Sequence, residues 1–223
     1  MTTTLIFVRH GQSLSNLGGY FTGNTDVELT ELGHRQAELT AEYLDRYRID
    51  HIYSSDLSRA YQTAEHTAAR KQKAIVPDQS FREIYAGEWE GKSFQSLPIL
   101  YPQSYDVWKN RISRACPDGG ERVTELSMRV WGGVTRVLER HRGETVAIFT
   151  HATPVRTLAW RWFGFDIHTA DEATLEKADA LPFCSNASVS VVEYEEDGSF
   201  RLICYGYDEH LADVATALPK HLV

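Results

Sequence analysis

The sequence predicts an α/β fold: a three-layer α/β/α sandwich with a mostly parallel sheet and a C-terminal antiparallel hairpin. One observation behind this prediction is that short apolar runs alternate with longer segments whose apolar residues recur at helical spacing. Another is a pair of segments of alternating polarity, residues 188–194 and 200–205, which flank the turn sequence Glu196-Asp197-Gly198-Ser199. Such a pair is typical of an antiparallel hairpin.

Four short segments predict the remaining strands. Residues 5–8 and 146–149 are continuously apolar, as expected for strands that are covered on both faces. Residues 51–53 and 75–76 are shorter candidates, and Pro77 is expected to end the second of them.

The predicted helices lie between these strands. They run from a Thr30 cap to about Tyr47, from near Ser58 onward, from Val123 to about Gly143 and from Pro154 to about Phe163. Two irregular stretches, at about 84–120 and 164–185, are expected to be lid-like insertions. Because there is no repeat and no low-complexity linker, we expect a single domain over residues 1–223.

Charge and composition exclude several function classes. The chain has a formal net charge of -8 and no block of like charge, so we expect neither a nucleic-acid partner nor an anionic membrane partner. The N-terminus resembles no signal peptide and no run reaches the roughly 20 apolar residues of a membrane span, which predicts a cytoplasmic protein. Its three cysteines form no C-x-x-C pattern, so they indicate neither a zinc site nor a disulfide framework.

The strand ends carry the residues that point to a function. Arg9-His10-Gly11 follows the first strand, Arg59 lies just beyond the second, and His151 follows the strand at 146–149. Ligands of open α/β sheets bind beyond the carboxyl ends of strands, so these residues are expected to form an anion site. Arginine forks suit phosphoryl oxygens, and a neutral imidazole can attack phosphorus. A second, protonated histidine could stabilise charge on the transferred group, and Gly11 would allow a tight turn.

Four motifs resemble those of the histidine phosphatase superfamily, the clan of cofactor-dependent phosphoglycerate mutase. They are R-H-G-Q-S at 9–13, S-S-D-L-S-R-A-Y-Q-T-A at 54–64, R-E-I-Y-A-G-E-W-E-G at 82–91 and T-H-A-T-P-V-R at 150–156. The resemblance spans residues 5–156, and beyond residue 160 it depends mainly on Asn186-Ala187-Ser188 and the hairpin.

The resemblance implies a role for each site residue. His10 would be the nucleophile that becomes phosphorylated, and Glu83 the general acid and base. Arg9, Arg59 and His151 would hold the phosphoryl oxygens. Further substrate-binding positions implied by the family are Asn16, Thr22, Gly23 and Ala152. Many relatives have glycine in place of Ala152, but only the backbone N–H is required there.

The choice between mutase and phosphatase depends on the acceptor of the phosphoryl group. The mutases carry a tyrosine and a lysine at positions that are Ala86 and Phe94 here, and the G-E-W-E-G run is similar to the phosphatase branch. We therefore predict hydrolysis of small phosphate monoesters, such as a phosphorylated metabolite, without metal or organic cofactor. The chain also lacks the short spacings of a metal-dependent hydrolase, such as H-E-x-x-H. A phosphoglycerate mutase and a non-catalytic phosphate-binding relative remain alternatives, and a homodimer is left open.

Overall fold

The computed structural model describes residues 1–216, which contain one mixed sheet of six strands. The strands are β1 (Thr3–Arg9), β2 (His51–Ser54), β3 (Ile75–Pro77), β4 (Thr145–Thr150), β5 (Val189–Tyr194) and β6 (Phe200–Tyr207). Their order across the sheet is β3-β2-β4-β1-β5-β6. Strands β1 to β4 are mutually parallel, whereas β5 runs antiparallel to β1 and pairs with β6. The predicted fold class, with its mostly parallel sheet and C-terminal hairpin, is therefore confirmed.

Helices cover both faces of this sheet. They are α1 (Leu14–Gly18), α2 (Glu31–Tyr43), α3 (Ser58–Lys71), α4 (Leu97–Leu100), α5 (Pro102–Asn110), α6 (Val123–Arg140), α7 (Ala152–Trp162) and α8 (Glu172–Asp179). Among these residues no helix is long and apolar enough to cross a membrane.

Side-chain alternation along the strands produces two separate hydrophobic cores. Leu5 and Phe7 of β1 belong to the core that contains the apolar face of α6 and α7. Ile6 and Val8 belong to the second core, with Leu44 and residues of α3. Because successive strand residues point to opposite faces, an uninterrupted apolar run buries both faces of the sheet, which gives the three layers.

Strand register places the candidate site. Arg9 is the register partner of Thr150, and Ser54 that of Phe149, so β1, β2 and β4 end side by side. The residues that follow these three strands therefore meet at one edge of the sheet, as the sequence predicted.

Several element boundaries differ from the predictions. Helix α2 has its predicted Thr30 cap but ends at Tyr43, where a 3₁₀ turn over Leu44–Arg46 replaces its expected last turn. Helix α1 was not expected, because a five-residue helix shows no periodicity. It forms because the Ser13 side chain accepts the N–H of Asn16 while the Asn16 side chain accepts the N–H of Ser13.

The two stretches expected to be irregular are partly helical. Helices α4 and α5 lie within 84–120, and α8 within 164–185. Trp89 and Trp108 are buried, which anchors the first stretch to the core. The lid-like role and the single domain remain predictions, and residues 217–223 of that domain lie outside the described part of the chain.

Candidate active site

A small cavity of about 60 Å³ opens at the carboxyl ends of β1 and β4. It is lined by Arg9, His10, Ser15, Asn16, Tyr20, Phe21, Thr22, Arg59, Glu83, Phe94, Trp108, Ala152, Thr153 and Phe183. His151 lies directly beside it, with its ring centroid 5.1 Å from that of His10. Gly23 is not among the lining residues. The remaining predicted site residues converge on one place, from positions as distant in sequence as Arg9 and Ala152.

The ring of His10 is held in one tautomer. Its Nδ1 lies 2.7 Å from the carbonyl oxygen of Gly11, and because a carbonyl only accepts, Nδ1 carries the proton. Burial, reinforced by the positive charges of Arg59 and Arg9, lowers the pKa of His10 well below its ordinary value. His10 is therefore a neutral imidazole whose Nε2 has a free lone pair.

The backbone behind His10 is fixed by hydrogen bonds and by a close approach. The side-chain nitrogen Nδ2 of Asn186 donates to the carbonyl oxygens of His10 (3.1 Å) and Gly11 (3.2 Å). A Cβ on Gly11 would lie 2.4 Å from the carbonyl oxygen of Gly33. Gly11 does not adopt a left-handed φ. Glycine is thus required here because the first turn of α2 packs against it, and not because of the turn conformation that the sequence suggested.

His151 differs from the protonated histidine considered from the sequence. Its Nε2 lies 2.8 Å from the Ser55 hydroxyl oxygen, and this oxygen also accepts the N–H of Leu57. Burial, followed by the charge of Arg59, lowers the pKa of His151 well below its ordinary value, so the ring is neutral. Because Ser55 can donate its hydroxyl proton to Nε2, the proton of His151 can reside on Nδ1. Within residues 1–216 this buried Nδ1 has no hydrogen-bond partner.

Both arginines of the site are buried, and carbonyl groups hold them. Arg9 donates through Nη1 to the carbonyl oxygen of Cys184, while its buried Nε has no hydrogen-bond partner in the described part of the chain. Arg59 donates to the carbonyl oxygens of Thr25 (3.0 Å) and Gly23 (2.7 Å). Burial lowers the pKa of Arg59 to about 10, so the guanidinium stays charged at neutral pH.

Glu90 holds the loop that carries these carbonyl groups. Its carboxylate accepts the backbone N–H groups of Gly23 (3.0 Å), Asn24 (2.7 Å) and Thr25 (3.1 Å), as well as the Thr25 hydroxyl (2.6 Å). The loop over residues 23–25 therefore lies between Glu90, which binds its N–H groups, and Arg59, which binds its carbonyls. Since the N–H of Gly23 is directed at Glu90, the predicted substrate contact of Gly23 stays a prediction.

The Glu83 carboxylate is fixed at the cavity by two backbone donors. It accepts the N–H of Ile84 through Oε1 (2.8 Å) and that of Thr153, in the first turn of α7, through Oε2 (3.2 Å). Glu83 is not an ordinary surface carboxylate, because only 8% of its surface is exposed and it lies in the cavity wall.

Two ion pairs stabilise the segment that carries Glu83. Arg82 contacts Asp56 through two bonds of 2.6 Å. Arg129 pairs with Glu121 and donates to the carbonyl oxygens of Arg82 (3.1 Å) and Glu83 (3.3 Å). These contacts fix the backbone on both sides of the carboxylate.

The polar wall opposite Glu83 is formed by the start of α1. The side-chain oxygen of Asn16 accepts the backbone N–H of Ser13 (3.1 Å) and the side-chain amide of Asn186 (3.1 Å). The side-chain nitrogen of Asn16 is therefore the group that is left for a ligand. The hydroxyl of Thr22 donates to that of Ser15 (2.8 Å). Ala152 lines the cavity as the first residue of α7.

Aromatic side chains form part of the cavity wall, and others lie behind it. Phe21, Phe94 and Trp108 line it together, and their rings pack on one another with centroid distances of 5.1 Å for Phe21–Trp108 and 5.5 Å for Phe21–Phe94. Trp89 instead lies behind this wall and donates to Asp118 (3.0 Å). Tyr101 and Tyr105 pack against Trp89 and do not line the cavity.

Four supporting residues were not identified from the sequence as parts of the site. They are Ser55, Glu90, Arg129 and Asn186, all of which act on a site residue through one or more hydrogen bonds. Ser55, Glu90 and Asn186 lie within stretches already noted for their resemblance to the family, so those stretches contained a usable signal. For Arg129, on an ordinary amphipathic helix, the sequence offers none.

Comparison with known proteins agrees with this geometry. The family model "Histidine phosphatase superfamily (branch 1)" matches residues 5–206. The chain belongs to the histidine phosphatase superfamily.

Phosphoserine phosphatase 1 of Hydrogenobacter thermophilus is 34% identical over 86% of this chain and 87% of its own length. Phosphoglycerate mutase-like protein 4 of Arabidopsis thaliana is also 34% identical, over 69% of this chain and 68% of its own. Mycobacterial glucosyl-3-phosphoglycerate phosphatase superposes with a TM-score of 0.81 at 25% identity, covering 93% of this chain and 100% of its own. As a member of this superfamily with named phosphatase relatives, the chain is a phosphatase, a hydrolase.

Glu90→Gln should weaken catalysis by this histidine phosphatase. A hydrogen bond to a charged group contributes about 1.5–3 kcal/mol, and 1.36 kcal/mol corresponds to tenfold in rate, so we expect kcat/KM to fall at least about tenfold as Arg59 loses its fixed carbonyl partners. The measurement is kcat and KM with p-nitrophenyl phosphate, together with Tm. Glu88→Gln is the matched control, since Glu88 is exposed and its carboxylate contacts Tyr101. A fall in Tm with unchanged kcat/KM would show that Glu90 only stabilises the fold.

The two buried histidines should make the free energy of unfolding depend on pH. In the unfolded chain histidines bind protons below about pH 6.5, whereas burial and arginine charges lower the pKa of His10 and His151 so that both stay neutral when folded. Below about pH 6.5 the unfolded state then binds more protons than the folded state, so the free energy of unfolding falls as the pH drops. Each such histidine contributes a slope of about 1.4 kcal/mol per pH unit, and its contribution is level above that pH. Urea unfolding across this range should give a shallower slope for His151→Gln. Exposed His168 provides the control, His168→Gln. Equal slopes in wild type and His151→Gln would contradict this expectation.

Proposed function

We propose that this histidine phosphatase hydrolyses small phosphate monoesters without a metal, through a phosphohistidine on His10, with Glu83 as general acid and base. The observation that carries the proposal is the hydrogen bond from Nδ1 of His10 to the carbonyl of Gly11. It leaves Nε2 deprotonated, and this atom belongs to a residue that lines the cavity. A neutral nitrogen at that position is the nucleophile that the reaction requires.

In the first step Nε2 of His10 attacks phosphorus and the bond from phosphorus to the ester oxygen breaks. Protonated Glu83 gives its proton to the departing oxygen, so the alcohol leaves neutral. Arg9, through its Nε, and His151, through Nδ1–H, supply hydrogen-bond donors to the phosphoryl oxygens; neither nitrogen has a partner among residues 1–216. The amide nitrogen of Asn16 is a further donor.

In the second step Glu83, now a carboxylate, takes a proton from water as the water oxygen attacks phosphorus. The bond between Nε2 and phosphorus breaks, and its electron pair returns to His10. Inorganic phosphate leaves and Glu83 is protonated again. The N–H groups of Ile84 and Thr153 hold the carboxylate in place for both proton transfers.

We propose water as the acceptor of the phosphoryl group because the positive charges of the cavity lie at one end. The cationic side chains among its described lining residues are Arg9 and Arg59, and both lie at the phosphoryl end. A mutase must bind a second anionic group of its substrate, whereas the far wall here is formed by Phe21, Phe94 and Trp108. An apolar wall is suited to the alcohol part of a small monoester. We further propose that the substrate is a small phosphorylated metabolite and that the protein acts in the cytoplasm.

His10→Ala should abolish phosphate release. In excess EDTA, we expect wild type to hydrolyse p-nitrophenyl phosphate and His10→Ala to lose about 10³-fold or more in kcat, because the variant lacks the nucleophile. His168→Ala, at an exposed histidine, is the control and should match wild type. Acid quench of wild type should destroy the phosphoenzyme, whereas alkaline quench should preserve it. Activity lost in EDTA, or retained in His10→Ala, would overturn the proposal.

Mutase activity should be minor. With 3-phosphoglycerate and 2,3-bisphosphoglycerate, we expect release of inorganic phosphate to exceed formation of 2-phosphoglycerate. The described lining residues include no second cationic cluster that would hold the reacting intermediate. Phosphate is measured colorimetrically and 2-phosphoglycerate through coupled enolase. Isomerisation faster than phosphate release would identify a phosphoglycerate mutase instead. Tight binding of phosphate without either reaction would identify a non-catalytic relative.

A further inference from the structure

Three residues distant in sequence meet at the end of the sheet opposite the active site. His51 is the first residue of β2, His141 follows the last residue of α6, and Glu144 immediately precedes β4. Because β2 and β4 are parallel and the active-site cavity lies at their carboxyl ends, this group lies at their amino ends. The proposed phosphatase mechanism uses none of the three residues.

We propose that His51, His141 and Glu144 bind a zinc ion. Oε2 of Glu144 lies 3.0 Å from Nε2 of His51 and 2.9 Å from Nδ1 of His141. The three potential ligand atoms all lie within 4.8 Å of one another. Two ligands of a tetrahedral zinc ion lie roughly 3.3 Å apart, because each is about 2.0–2.1 Å from the metal. The side chains therefore need only small movements to surround an ion.

A second contact orients the buried histidine toward this position. Nε2 of His141 lies 2.9 Å from the hydroxyl of Tyr53, while its Nδ1 faces Glu144. A tyrosine hydroxyl can either donate or accept, so it can accept the proton of Nε2–H when Nδ1 binds a metal. Histidine ligands of metals usually donate their second ring N–H to such a partner, which fixes the tautomer. Tyr53 thus has the position of that partner.

Exposure allows an ion to enter. The side chains of His51 and Glu144 are 40% and 42% exposed, whereas that of His141 is 7% exposed. One ligand is thus anchored in the protein and two face solvent, where water can supply the fourth ligand of a tetrahedral ion. Two imidazole nitrogens favour zinc over magnesium or calcium, which prefer oxygen ligands.

Zinc binding would join two segments of the chain that are neighbours in space. The ion would link the start of β2 to the turn between α6 and β4, so we expect zinc to raise Tm. It would not alter the proposed metal-independent hydrolysis, because the ligands lie at the other end of the strands. Without zinc, the same carboxylate accepts hydrogen bonds from both rings, and the experiment must separate these two roles.

The test is zinc titration of the EDTA-treated and desalted full chain, by calorimetry and by competition with a chromogenic chelator, with Tm as a second readout. We expect one zinc ion per chain and a higher Tm, and no effect of magnesium. His51→Ala should weaken zinc binding at least about tenfold, as should Glu144→Gln. Tyr53→Phe should weaken it about tenfold, because it removes the acceptor of the His141 N–H.

Two control variants locate the ion. His34 and His66 also bring two rings together, with 3.3 Å between Nδ1 and Nε2, so His34→Ala tests whether any histidine pair binds zinc. His10→Ala tests binding in the active site. Both controls should keep wild-type zinc affinity. The proposal is wrong if wild type binds no zinc, if His51→Ala and Glu144→Gln bind it like wild type, or if His10→Ala removes the bound ion.

Discussion

The burial of Arg9 and Arg59 beside His10 is the constraint on which the rest of the site depends. Two charged guanidinium groups in a low-dielectric edge of the sheet are costly unless hydrogen-bonded. Within residues 1–216 the Nη atoms of both arginines donate to carbonyl oxygens and not to carboxylates, so most of the positive charge remains available to an anion. The same charges help to keep both histidines neutral. Anion binding and a competent nucleophile thus have one physical cause.

Holding these arginines with carbonyl groups requires rigid loops. The loop over 23–25 is fixed because Glu90 accepts its N–H groups, and the strand end at His10 is fixed by Asn186. Glu90 contacts neither His10 nor Glu83, yet it determines where Arg59 can point. The site therefore consists of a few reacting groups and a larger set of residues that fix their geometry, as preorganised electrostatic sites require.

Much of the fold and the central part of the site could be predicted from sequence because they follow from short-range patterns. Continuous apolar runs such as residues 5–8 specify buried strands, and the residues that follow those strands must meet at one edge. The contacts of Arg129 could not be predicted, because it reaches the Glu83 segment across 46 positions and an amphipathic helix shows no sign of this. Trp89 and Trp108 look equivalent in sequence, yet packing puts only Trp108 in the cavity wall. His51 and His141 are likewise too far apart for any motif.

The long sequence separation of the site contacts also has a consequence for synthesis. Arg9 donates to the carbonyl of Cys184, 175 positions later, and His10 depends on Asn186 at a similar distance. Domains begin to fold while the chain is still being made, but such non-local contacts form only once both partners are present. While the chain emerges from the ribosome, Arg9 and His10 are made well before the residues that hold them. Phosphatase activity would therefore appear only after the segment that contains Cys184 and Asn186 has been made.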